Sequence, residues 1–237
     1  MQVEIWSDIS CPFCYIGKRN FEAGLEKFAH RDEVSVTWKS FQLDPTLPQE
    51  EMFSHEEYLS TKKGIEKEQV EKMLRHVTQM AKGVGLDYHF DKVITVNSYK
   101  AHRVIQMAKT KALGDKAEEL FFKSYFTEGK NIADDAALFT IGKEIGLTQA
   151  EVQDALSNEL YSQKADTDMY EAQQTGVGGV PFFVFDSKYA VSGAQPPQAF
   201  TQTLEKAFAE WQAKNPQSEL EITTGQSCGV DGTCSAE

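Results

Sequence analysis

Residues 2 to 6, QVEIW, are a β-branched and aromatic run, and residues 34 to 41, VSVTWKSF, alternate in polarity; both are patterns of short strands. Between them Cys14, Gly17, Phe21, Leu25 and Phe28 recur every three or four residues. That period predicts a helix with one face packed on the sheet and with Lys18, Arg19, Glu22 and Glu26 turned to water. The chain therefore opens as β-α-β, and two cysteines, Cys11 and Cys14, fall on the first turn of its helix.

From about residue 45 the pattern becomes helical, with no convincing strand until about residue 180. Val70, Met73, Leu74, Val77, Met80 and Ala81 trace one apolar stripe that ends at the glycines of GVG. Asn97 or Ser98 caps a second helix, and Leu120, Phe121, Tyr125 and Phe126 mark a third. Asp134 opens a fourth that Gly146 stops, and Thr148 with Glu151 spells a capping box. The segment GVGGVPFFVFDSKYAVSGAQPP then reads as a loop, a strand, the turn DSK, a second strand and another loop. A last helix, about 197 to 213, carries Phe200, Leu204, Ala207, Phe208 and Trp211 on one face. The layout is α/β, that of a thioredoxin-like fold (1–44 and 175–213) interrupted by an all-helical insertion (45–174). The polar residues 214–237 have the composition of a flexible C-terminal tail.

With 24 basic against 36 acidic residues the net charge is −12, which repels phosphate backbones and anionic bilayers. Nucleic acid and membrane partners are therefore not expected. The start MQVEIWSD lacks a basic segment followed by a long apolar one, and GVPFFVF is far shorter than the roughly 20 residues needed to span a bilayer. A cytoplasmic location is expected. Four cysteines in such a setting point to catalysis or metal binding rather than to structural disulfides.

A helix N-terminus carries unpaired N–H groups and about half a positive charge, which favours a negatively charged sulfur at Cys11. Pro12 suits the first turn, where its missing N–H has no helical partner, and Cys14 lies one turn on, within reach of a disulfide. Neither Pro12 nor Phe13 can donate to the sulfur through its side chain, so the disulfide is expected to be less oxidising than one with histidine there. Two inert core thiols are the plain alternative, and a proline bracketed by cysteines at a helix start argues against it. Pro181, after Val180, stands at the entry to the third strand, where a proline that merely begins an edge strand would also fit.

The segments DISCPFCYIGK, FQLDP, NSYKAHRVIQMAK, LFFKSYFTEGKNIAD and GVGGVPFFVFDSKYAVSGAQ, spread over residues 8 to 195, resemble the DsbA family of thioredoxin-like thiol-disulfide oxidoreductases, in particular its FrnE-like branch. The resemblance implies Cys11 as nucleophile, Cys14 as resolving thiol, Pro181 in cis, and the Val180 backbone as a strand-like edge for an incoming peptide. Disulfide- or dithiol-containing proteins are the implied partners, and a redox-active disulfide the only centre required. Asp8 matches an acidic position of the wider family and either accepts the proton of Cys14 or satisfies backbone donors near the helix start. His102 and Arg103, in the matching AHR, either line the groove from the insertion or serve structure. Kappa-class glutathione transferases and 2-hydroxychromene-2-carboxylate isomerases share the fold and carry serine where Cys11 stands. The shared GVPFF and SGAQ leave glutathione binding, and a glutathione-dependent small-molecule isomerase or transferase, as an alternative.

Cys228 and Cys234, with five residues between them, lie outside the thioredoxin-like part. A second redox pair relaying electrons to Cys11 and Cys14 is the favoured reading. A four-cysteine zinc site is disfavoured by the spacing and because it would silence Cys11, so no metal is expected. Inert thiols are the remaining option. A redox-regulated chaperone, with the insertion as client surface and the tail as sensor, is a further alternative.

Overall fold

In a computed structural model, residues 1–216 are described. Strand β1 (Gln2–Ser7) leads into α1 (Pro12–Glu26) and β2 (Ser35–Ser40), and β1 and β2 pair in parallel with Val3 opposite Val36 and Ile5 opposite Trp38. Far along the chain, β5 (Phe182–Phe185) and β6 (Tyr189–Ser192) form a hairpin whose first strand pairs antiparallel with β1. The sheet order is β2-β1-β5-β6. Asp186 and Ser187, both at positive φ, make the tight turn that joins the hairpin strands and fits their twist. The final helix, α9 (Pro197–Lys214), completes the thioredoxin-like unit.

Alternation along β1 assigns its two faces. Val3 and Ile5 join Phe183 and Phe185 in a core shared with Phe21 of α1 and Phe200 and Leu204 of α9. Trp6 points the other way, and its indole N–H donates to the Asp168 carbonyl at 2.9 Å. Asp168 belongs to α8 (Glu159–Gln174), which with Ala172 and the following Val177 covers that second face. The remaining inserted helices are α2 (His55–Glu57), α3 (Lys67–Gly83), α4 (Tyr99–Lys109), α5 (Gly114–Phe122), α6 (Asp135–Ile145) and α7 (Gln149–Ser157). They surround a separate core in which Val104, Ile105, Phe121, Phe122, Leu138 and Ile141 are buried.

The caps fall where the sequence places them. Asp134 accepts from the Ala137 N–H, Gly146 ends α6 in the left-handed conformation, and Thr148 with Glu151 closes the reciprocal box. At the start of α4 it is Asn97 whose side chain accepts from the Tyr99 N–H, while Ser98 caps nothing.

Three features depart from the sequence reading. Short strands β3 (Phe53–Ser54) and β4 (Ile94–Thr95) pair inside the helical block; two residues are too few to leave an alternating signature. Helix α8 is separate from α7, begun by the Asn158 side chain accepting from the Leu160 N–H. Lys18 does not face water: it is 2% exposed, packed over the Trp38 ring and paired with Glu22, Asp115 and Glu119. Two of these acids, Asp115 and Glu119, arrive on α5, about a hundred residues later, and periodicity within α1 carries no sign of them.

Close approach of α1 and α9 rests on Gly24, where an added Cβ would lie 2.7 Å from the Pro197 carbonyl oxygen and 2.9 Å from Phe200 Cβ. Gly24→Ala should therefore destabilise the fold by about 1–3 kcal/mol in denaturant unfolding. Helix propensity alone predicts the opposite sign, a gain of about 1 kcal/mol, and a raised midpoint would contradict the packing argument.

Candidate active site

Cys11 is the N-cap residue of α1, with extended backbone angles, and its Sγ lies 3.5 Å from the Val180 carbonyl oxygen. The Val180–Pro181 bond is cis. Gly17 lets the loop approach: a Cβ there would stand 2.8 Å from Pro181 Cγ. Cys14 is one turn into the helix and 0% exposed, and both cysteines are free thiols. Burial pushes the Cys14 thiol well above its ordinary pKa, and the neighbouring Cys11 sulfur adds to the rise.

Asp8 is buried and spends both carboxylate oxygens on the protein. Oδ1 accepts from the Ser10 N–H at 3.0 Å, and Oδ2 from the Leu43 N–H at 2.8 Å. His102 Nε2 stands 3.5 Å from Oδ1. Burial alone would raise this carboxyl, but His102 and the two backbone donors outweigh it and hold it below the usual range. Asp8 thus ties the end of β1, the start of α1 and the segment after β2 together, and His102 of α4 is brought to it. Arg103, the next residue, is turned away: its guanidinium donates to the carbonyls of Ala155 and Asn158 at the end of α7. Cys228 and Cys234 lie outside the described residues. Among the described residues, no cluster of three or more His, Cys, Asp and Glu side chains is arranged to hold a metal.

A cavity of about 390 Å³ opens beside Cys11, between the first turn of α1, the Val180 loop and the inserted helices. Leu47, Leu74, Val77 and Phe90 give it apolar walls, while the exposed Phe13, Leu43 and Met73 stand at its rim. At its buried end are His55 and Tyr125. His55 stacks on Phe90, contacts Thr95 Oγ1 through Nδ1 at 2.9 Å, and is pushed down to about 4 by burial, so its ring is neutral. Asp44 at the edge accepts from Tyr58 Oη at 2.6 Å and from Lys63 Nζ at 2.9 Å. Tyr88, from the insertion, donates to the Pro12 carbonyl at 2.7 Å and so fixes the peptide between the cysteines. Apart from Phe13, these cavity residues do not follow from the cysteine motif; the helical patterns through Met73, Leu74 and Val77 and through Tyr125 signal a few of them, and part of the first stripe faces the cavity rather than a core.

The sequence profile of the DSBA-like thioredoxin domain matches residues 2–205. The chain belongs to that family. Among solved structures, a probable DsbA oxidoreductase of Streptomyces coelicolor is 34% identical, with a TM-score of 0.84 over 100% of this chain and 99% of its own. The cytosolic disulfide reductase DsbM of Pseudomonas aeruginosa, solved with GSH, shares the fold at 17% identity and TM-score 0.61, covering 88% of this chain and 100% of that one. The uncharacterised protein YwbO of Bacillus subtilis is 25% identical over 90% of this chain and 98% of its own length. The DsbA-like fold, with helices inserted between β2 and β5, is the arrangement that brings Cys11 to the Val180 loop.

A second buried acid lies behind the DsbA-like site. Glu118 of α5 is 1% exposed, and one of its carboxylate oxygens has no hydrogen-bond partner. Burial raises it to about 8 despite Lys109 and Lys18, with Asp115 and Asp8 adding to the rise. Its neutral form is favoured in the folded state, so the stability it contributes is full below the unfolded pKa of about 4.3 and is lost as pH climbs through about 8. Glu118→Gln removes that loss. Unfolding free energies at several pH values should show the variant gaining on wild type by up to about 1.4 kcal/mol per pH unit within that window. A difference independent of pH would contradict a buried, neutral carboxyl.

Proposed function

We propose that the protein is a thiol-disulfide oxidoreductase and isomerase working through the Cys11–Pro12–Phe13–Cys14 dithiol. The observation that carries this reading is the asymmetry of the pair. Both thiols are buried, but Cys11, 3% exposed, lines the cavity at a helix N-terminus, whereas Cys14, 0% exposed, does not, and among the described residues the sulfur beside it is that of Cys11.

The Cys11 thiolate attacks one sulfur of a substrate disulfide, which breaks the S–S bond, releases one thiolate and leaves a mixed disulfide on Cys11. Cys14 then loses its proton and attacks the Cys11 sulfur. The second substrate thiol departs and takes up a proton, and two electrons have passed from the dithiol to the substrate. Run in reverse, the same steps oxidise a dithiol. The Val180 backbone offers the strand-like edge along which a peptide on either side of the reacting cysteine can lie. Asp8 supports the site by fixing its scaffold; a carboxylate held by two N–H groups and held below its usual range is a poor acceptor for the proton of a thiol pushed upward.

Proteins bearing disulfides or dithiols are the proposed partners, in the cytoplasm, as for the cytosolic DsbM. No described helix is long and apolar enough to cross a membrane. Glutathione, bound in one DsbM structure, is a proposed small-thiol partner, and no cofactor beyond the dithiol is required. Cys228 and Cys234 are proposed to relay electrons to the pair.

Insulin reduction and reactivation of scrambled ribonuclease test the reading. The wild type should be active, Cys11→Ser should lose at least about a hundredfold in rate, and Cys14→Ser should accumulate a mixed disulfide that dithiothreitol releases. Undiminished activity in Cys11→Ser would overturn it.

A further inference from the structure

We infer that the cavity beside Cys11 binds the uncharged, apolar substituent of a small organic disulfide, aryl or branched alkyl. This substrate class rests on the exchange reading above. At about 390 Å³ the cavity has the size of a small-molecule site, and pairing a peptide with the Val180 edge needs no such recess. Cys11 and Val180 line it, so a substituent held inside presents its sulfur to the nucleophile.

The lining selects against charge. Each Asp8 oxygen accepts a backbone N–H, from Ser10 or Leu43, with His102 Nε2 3.5 Å away, Asp44 and Lys63 neutralise each other at 2.9 Å, and the His55 ring is neutral. A carboxylate or ammonium entering between Leu47, Leu74, Val77 and Phe90 would lose its hydration and find no free counter-charge. At the buried end, the Tyr125 hydroxyl feels Thr95 but makes no hydrogen bond of normal geometry, and its residue is 0% exposed. It is a polar group left there to meet an oxygen or amide on the far end of a ligand.

The chemistry balances on the dithiol alone. Cys11 attacks the sulfur carrying the bound substituent, the other half leaves as a thiolate that water protonates, and Cys14 releases the bound half as a thiol. One disulfide is reduced to two thiols and the enzyme pair is oxidised.

The test uses pre-reduced full-length protein and two disulfides of nearly equal shape, bis(4-carbamoylphenyl) disulfide and bis(4-carboxyphenyl) disulfide. Each second-order rate constant is divided by that for dithiothreitol with the same reagent, which removes intrinsic reactivity. The amide should be preferred by about tenfold or more, and Leu74→Trp, which fills the cavity, should collapse the preference to less than about threefold. Because the negative net charge of the whole protein also disfavours carboxylates, a preference that survives Leu74→Trp would overturn the assignment, as would equal rates in the wild type. Calorimetric titration with the thioether analogue of the amide reads the cavity without chemistry. Binding to wild type and not to Leu74→Trp supports the assignment; no binding to either overturns it. Thioether binding without reaction of either disulfide would instead sink the exchange reading while leaving the cavity as a binding site.

Discussion

Helix α1 is packed in two directions at once, and the position of every reactive atom follows from that. Its C-terminal half sends Phe21 into the sheet core beside Phe183, Phe185 and Phe200, while Cys11, Cys14, Tyr15 and Ile16 at its N-terminal half belong to the core of the inserted helices. Tyr15 stacks on Phe122 and Tyr88 and donates to Glu119 at 2.6 Å, and Arg19 binds the same carboxylate. Buried Lys18 adds its own pairing to Glu22, Asp115 and Glu119. Such buried charges contribute little net stability for the cost of their desolvation, but removing one partner would leave another uncompensated, so the lattice fixes the geometry of α1 against α5.

The insertion is thereby more than an appendage to the sheet. Through Tyr88 it grips the Pro12 carbonyl, through His102 it reaches Asp8, and through Leu74 and Val77 it walls the space in front of Cys11. The thioredoxin-like part supplies the helix N-terminus and the Val180 loop, which hold the sulfur. The inserted part supplies enclosure, and enclosure decides what can approach that sulfur. An open helix N-terminus would treat any accessible disulfide alike; a cavity with apolar walls and all its charges engaged discriminates by the chemistry of the substituent.

The β-α-β opening, the hairpin around Asp186 and Ser187, the caps at Asp134 and Thr148, and the cysteine turn were legible because each is encoded within a few residues. The strands β3 and β4 left no trace because pairing of two residues is decided by partners about forty positions apart. The exposure that periodicity predicts for Lys18 fails for the same reason: its environment is built in part by the distant Asp115 and Glu119. Arg103 sits next to His102 in the sequence, yet the helical turn sends one to Asp8 and the other to the end of α7. Nothing in the residues around Glu118 marks it as buried; the packing of α5 does that. Local chemistry was readable; which side chains share a cavity was set by tertiary contacts between distant segments.

The central claim is that, of two buried thiols, Cys11 meets the cavity and Cys14 lies behind it. Alkylation of the reduced protein with iodoacetamide at neutral pH, resolved by residue with mass spectrometry, tests it most directly. The account predicts that Cys11 is modified first and that Cys14, buried and with its thiol form favoured, reacts at least about a hundredfold more slowly. Equal rates, or Cys14 reacting first, would contradict it.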